Sequence, residues 1–120
     1  MDDNRAPYEH GLAAADEIRS LNYGTLQGGY DSPGDVYDVA HALRTLFQRL
    51  PQALEQLGVG FDALVDAEQV RITSGAAGQE TVSVPERRER IAESLKAATA
   101  AAGTLEQSLA LVTRLTSDLV

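Results

Sequence analysis

Apolar residues recur with heptad spacing along the last third of the chain. From Ile91 to Leu119 the steps alternate between four and three residues over four repeats, with one threonine among the positions. Such a pattern keeps one face of an α-helix apolar and is typical of helices that pack along a coiled-coil seam. It predicts a long helix D from Pro85 to Leu119, with its seam at Ile91, Leu95, Ala98, Ala102, Leu105, Leu109, Val112, Thr116 and Leu119.

Helix D contains one candidate interruption at Gly103, which lies off the seam. Thr104 and Gln107 have the spacing of a capping box, so a new helix could begin there. A break would fold residues 104–119 back as a fourth helix of a compact monomer. Because the seam keeps its phase across 102–105, we expect helix D to be continuous.

A second long apolar seam lies in the middle of the chain. Ser32 is a favourable N-cap, Pro33 suits the first helical position, and Asp35 suits the first turn. These signals predict a helix B over 33–57, kinked at Pro51, where a backbone hydrogen bond is lost. Its seam comprises Val36, Val39, Leu43, Leu46, Leu50, Leu54 and Leu57. Gly58 then stands where a C-cap glycine belongs, and residues 61–69 form a short helix C.

The remaining segments are shorter. Residues 1–7 form a flexible tail, helix A spans 8–22, and the glycine-rich residues 23–34 form a loop. Residues 70–84 contain two short runs of period-two alternation, which form either a small β-hairpin or a mobile loop.

Together these elements predict an all-α fold. We expect an antiparallel helical bundle of three to four helices with a long C-terminal helix, forming a single domain over 8–120. Helices B and D should be antiparallel partners, with helix A packed on their shared groove. The expected core comprises Leu46, Leu50, Leu54, Ile91, Leu95 and Ala98.

Composition excludes several classes of protein. The chain has 120 residues, no cysteine and a net charge of −8. The missing cysteines exclude disulfide scaffolds, thiolate zinc sites and cysteine nucleophiles, and the acidic balance argues against direct nucleic-acid binding. No apolar run approaches the ~20 residues that cross a bilayer, and residues 1–4 lack the features of a secretory signal. We therefore expect a cytoplasmic protein without membrane contact.

Few residues suggest chemistry. Asp38 and His41 share a helix face beside Tyr37, but a metal or catalytic site needs more converging ligands than this. The glycine-rich loop lacks a P-loop lysine, and the arginines at the start of helix D alternate with glutamates. We therefore expect no catalytic, cofactor or metal site. The alternative is a small ligand-binding or enzymatic bundle that uses Asp38, His41 and Tyr37.

Part of helix B resembles a group of known sequences. The stretch Val36-Tyr37-Asp38-Val39, followed by residues 50–57, is similar to small actinobacterial helical proteins of unassigned function. Some of these occur among plasmid- or phage-type genes. The resemblance implies an accessory role in a mobile element and supplies no site residues.

The predicted helix lengths suggest an interface. Helix D would be about 52 Å long and helix B about 37 Å, so helix D would extend beyond helix B by about 15 Å. An exposed apolar stripe of this kind usually marks an interface, and the commonest closed assembly is a two-fold dimer. We therefore expect a non-enzymatic interaction module that forms a homodimer, binds a protein partner, or both. Its interface would contain Leu105, Leu109, Val112, Leu115 and Leu119.

Overall fold

A computed structural model describes residues 3–73 and 83–120, which contain three α-helices. They are α1 (Pro7–Gly24), α2 (Pro33–Asp66) and α3 (Val84–Thr116). Helices α2 and α3 pack along their length as an antiparallel hairpin. The prediction of an all-α fold with a long C-terminal helix is confirmed. Residues 70–73 form no strand, and the centre of the hairpin-or-loop segment, 74–82, lies outside the described residues.

The predicted beginning of the second helix is confirmed in detail. The Ser32 hydroxyl accepts a hydrogen bond from the backbone N–H of Asp35 at 3.4 Å. The Asp35 carboxylate in turn accepts from the N–H of Asp31 at 2.8 Å. The first bond satisfies a donor that the first turn of a helix leaves unpaired, and the second ties the residue before the N-cap to that turn.

Helix α2 does not end at Gly58, so the prediction of a C-cap there and of a separate helix C is wrong. The helix continues through Pro51 and Gly58 to Asp66. It ends where Glu68 adopts a left-handed conformation with φ of 58° and the N–H of Gln69 bonds to the carbonyl of Leu64. A Cβ atom at Gly58 would lie 3.2 Å from Cδ1 of Leu95, so this glycine lets α3 approach closely instead of ending the helix.

Helix α3 is continuous through Gly103, as expected. The Thr104 hydroxyl donates to the carbonyl of Ala100 at 3.2 Å, which is a bond within a helix and not a cap. The alternative of a fourth, folded-back helix is therefore wrong. The predicted overhang is also wrong, because α2 has 34 residues and α3 has 33, so each is about 50 Å long.

The contact between α2 and α3 is formed by small side chains. Ala40 and Ala102 are 6% and 4% exposed, and Thr113 is the other buried residue among those described. The prediction that six residues form a buried core is wrong, because each of them is only half-buried. They are Leu46, Leu50, Leu54, Ile91, Leu95 and Ala98. A pair of helices covers each of these side chains from one direction only, and no third helix covers the rest.

Helix α1 does not pack in the groove between the other two helices, contrary to the prediction. No Cα atom of α1 lies within 8 Å of one in α2 or α3, and α1 contains no buried residue. Near its C-terminal end, Leu21 and Gly24 line a shallow cleft with Val39. Its apolar stripe is narrow and rich in glycine and alanine.

The chain consequently exposes more surface than a compact protein of its mass. Its accessible surface is 9460 Å², whereas a compact 12.8 kDa monomer exposes about 6,300 Å². Its radius of gyration is 19.3 Å, against about 14 Å for a compact chain of this length.

Candidate interaction surface

A row of apolar side chains recurs every seventh residue along α2, and a second row does so along α3. Seven residues complete nearly two helical turns, so each row stays on one side of its helix. Every side chain in both rows is exposed or only half-buried. We call the two rows together the apolar face: Val36, Leu43, Leu50, Leu57 and Leu64 on α2, with Ile91, Ala98, Leu105, Val112 and, just past the end of α3, Leu119.

Both rows lie on the same side of the hairpin. Leu43 follows the buried Ala40 by three residues, and Leu105 follows the buried Ala102 by three. Each leucine is therefore turned by about 60° in the same sense from the line on which the helices meet. In an antiparallel pair, equal rotation in the same sense points to one common side. The two rows thus form one continuous surface.

The opposite side of the hairpin, which we call the polar face, carries the polar bonds between α2 and α3. At one end, Arg44 Nε and Gln48 Nε2 each donate to Glu106 Oε1 at 3.0 Å. At the other end, Arg88 donates to Asp62 at 2.9 Å and to Asp66 at 3.0 Å. These bonds fix the register and place Leu43 level with Leu105, because these leucines precede the bonded residues 44 and 106.

The polar bonds also affect ionisation. The pKa of the Glu106 carboxyl lies below its ordinary value. The hydrogen bond from the Arg44 guanidinium is the larger cause, and the hydrogen bond from the Gln48 amide is the second. The hydrogen bond from Arg88 to Asp66 is the largest contribution that raises the pKa of the Arg88 guanidinium. Both bonds are partly open to solvent, so their main effect is to align the two helices.

Between these two sets of polar bonds the polar face contains an open groove of about 600 Å³. Its lining is largely apolar, with small residues that leave the helix backbones accessible and three charged side chains. We call it the groove: it is lined by Pro51, Leu54, Glu55, Gly58, Val59 and Asp62 of α2, and by Ala92, Leu95, Lys96, Thr99 and Ala100 of α3.

The residues expected at an interface lie close together in the structure. Leu105, Val112 and Leu119 belong to the apolar face, and Leu109 is half-buried beside it. Leu115 is 62% exposed and lies at the outer edge of α3. The sequence assigns Val36, Leu43, Leu50 and Leu57 to the packing seam of helix B and does not predict them at an interface.

The candidate polar site does not assemble into one pocket, because Tyr37 and Asp38 line two separate shallow clefts. The rings of Tyr37 and His41 stack with centroids 6.2 Å apart and planes inclined by 7°. Asp38 and His41 are both exposed. Among the described residues, no group of three or more His, Asp or Glu side chains is placed to hold a metal ion.

Comparisons with protein-family models, with curated proteins and with solved structures give no match for this chain. In the part of the chain that the structure describes, no helix is both long enough and apolar enough to cross a membrane.

Proposed function

We propose that this protein is a non-enzymatic helical interaction module that forms a two-fold homodimer through its apolar face. The observation that carries the proposal is the absence of a conventional core. Among the described residues no large side chain is fully buried, while two rows of apolar side chains remain open to solvent. Contiguous apolar surface of this kind marks association sites in proteins.

A second copy fits this surface well. A two-fold axis would bring the apolar face of one hairpin onto the same face of another and create a four-helix bundle. Small residues at the borders of the rows, including Ala53, Gly60 and Ala101, would allow the helices to approach closely. A stable interface buries about 800 Å² on each partner, which is within the surface that the chain exposes beyond a compact monomer.

The proposal extends to the setting in which the dimer acts. The acidic, cysteine-free composition suits a cytoplasmic protein. The resemblance of residues 36–39 and 50–57 to small actinobacterial proteins favours an accessory role in a mobile element.

The stability of the protein should depend on its concentration if folding and association are coupled. For a dimer of 120-residue chains, raising the concentration a hundredfold should raise the unfolding midpoint by about 6 °C. Circular dichroism at 222 nm can measure this over micromolar to hundreds of micromolar concentrations. A midpoint that stays constant over this range contradicts the proposal.

A control variant tests whether the polar pair on α2 contributes to association. Changing Asp38 and His41 together to asparagine removes the one candidate polar pair, which lies away from the apolar face. We expect this variant to show the same concentration dependence as the unmodified chain.

A further inference from the structure

Helix α1 is an amphipathic helix that does not pack along α2 or α3 of its own chain and only meets α2 at a shallow cleft near its C-terminal end. Its narrow apolar stripe consists of Gly11, Ala14, Ala15, Ile18 and Leu21 and is about 15 Å long. None of these residues is buried, although most of the stability of a helix in a protein comes from the packing of its apolar face. The stripe is therefore available to pack against another surface.

The groove on the polar face has matching dimensions. It extends along α2 from Pro51 to Asp62, which is about 17 Å, and small residues such as Gly58 and Ala92 would let a helix approach. The charges at its two edges have opposite signs. Glu55 and Asp62 lie on the α2 edge, and Lys96 lies on the α3 edge.

The charges of α1 complement those of the groove. Glu17 and Arg19 directly flank Ile18, so they point to opposite sides of the apolar stripe, each about 100° from it. With Ile18 facing the groove and α1 parallel to α3, Arg19 lies on the side of α2 and Glu17 on the side of α3. The reverse orientation would place like charges together.

In the observed conformation, the connection between α1 and α2 keeps α1 away from the groove of its own chain. Gly29 lies directly against the backbone of Gly24 and Thr25, so this segment turns back on itself and adds little reach. An 18-residue helix that doubles back from Pro33 spans about 27 Å and ends beside Pro51, where the groove begins.

We propose that α1 of a second copy of this chain docks in the groove, with Ile18 inward and α1 parallel to α3. The groove and the apolar face lie on opposite sides of the hairpin. This contact is therefore separate from the proposed dimer and links dimers into larger assemblies.

Disulfide trapping can test this contact, because the chain has no cysteine of its own. Chains carrying Arg19→Cys are mixed with chains carrying Glu55→Cys, so that a mixed disulfide reports only contact between different molecules. The control mixture pairs Arg19→Cys with Gln56→Cys, an exposed position on the far side of α2. We expect the first mixture to form the mixed disulfide at least about tenfold faster, because docking raises the effective concentration of the two thiols.

Two outcomes would overturn the inference. The first is equal rates in the two mixtures. The second is faster trapping of Arg19→Cys with Lys96→Cys than with Glu55→Cys, which would reverse the orientation. Repeating the experiment with Leu57→Glu and Leu105→Glu in both chains separates it from the proposed function. The rate advantage should persist there, since these changes affect only the apolar face, and its loss would contradict the independence of the two contacts.

Discussion

Replacing Leu57 and Leu105 together with glutamate should dissociate the apolar-face dimer without unfolding the chain. These leucines are 57% and 47% exposed in the single chain, so a charge at either position remains solvated when the chain is alone. In a two-fold dimer the change introduces four carboxylates into an apolar interface. At about 1–1.5 kcal/mol for each lost leucine contact, the dissociation constant should rise roughly 10³- to 10⁴-fold.

The matched control replaces Leu12 and Leu111 with glutamate. Their exposures of 57% and 44% are nearly the same, but Leu12 lies on α1 and Leu111 faces away from α2. With Ile18→Glu added to both variants to block the groove contact, sedimentation velocity should show a monomer for the first variant and a dimer for the control, with unchanged helix content in both. Equal masses for the two variants would show that the apolar face is not the interface.

The change Ala102→Asp should unfold the hairpin. Ala102 is 4% exposed and lies where α2 and α3 meet, so a carboxylate there would be buried without a partner. An uncompensated buried charge costs about 3–5 kcal/mol, which is a large part of the total stability of a small protein. Circular dichroism should show that most chains are already unfolded at room temperature, so that little of the cooperative thermal transition remains.

Ala97→Asp provides the comparison for this change. Ala97 is exposed on the same helix, so the same substitution should leave the midpoint within a few degrees of the unmodified chain. Equal unfolding midpoints for the two variants would show that Ala102 does not lie in a close contact between α2 and α3.

The beginnings of the helices were easier to predict than their ends. Ser32 and Pro33 favour the beginning of α2 through local hydrogen bonding and backbone geometry, and both effects act within a few residues. The end of α2 depends on Glu68, a residue with no intrinsic preference for the left-handed conformation that it adopts. Gly58 was misread because a glycine that ends a helix and one that admits a neighbouring helix look the same in a sequence.

Tertiary placement was predicted least well. The seam of α3 correctly indicated a long continuous helix, but the position of α1 depends on surface that the chain does not cover by itself. The interface residues from Leu105 to Leu119 were chosen because helix D was expected to overhang helix B. They lie at the surface for a different reason, which is that α1 covers neither side of the hairpin.

The molar mass in solution tests the central claim most directly. Light scattering coupled to size exclusion, at tens of micromolar protein, should give at least twice the 12.8 kDa of one chain. The triple variant with Leu57→Glu, Leu105→Glu and Ile18→Glu, in which both proposed contacts are blocked, should give the 12.8 kDa of one chain. A mass of 12.8 kDa for the unmodified chain at this concentration would contradict self-association through the apolar face.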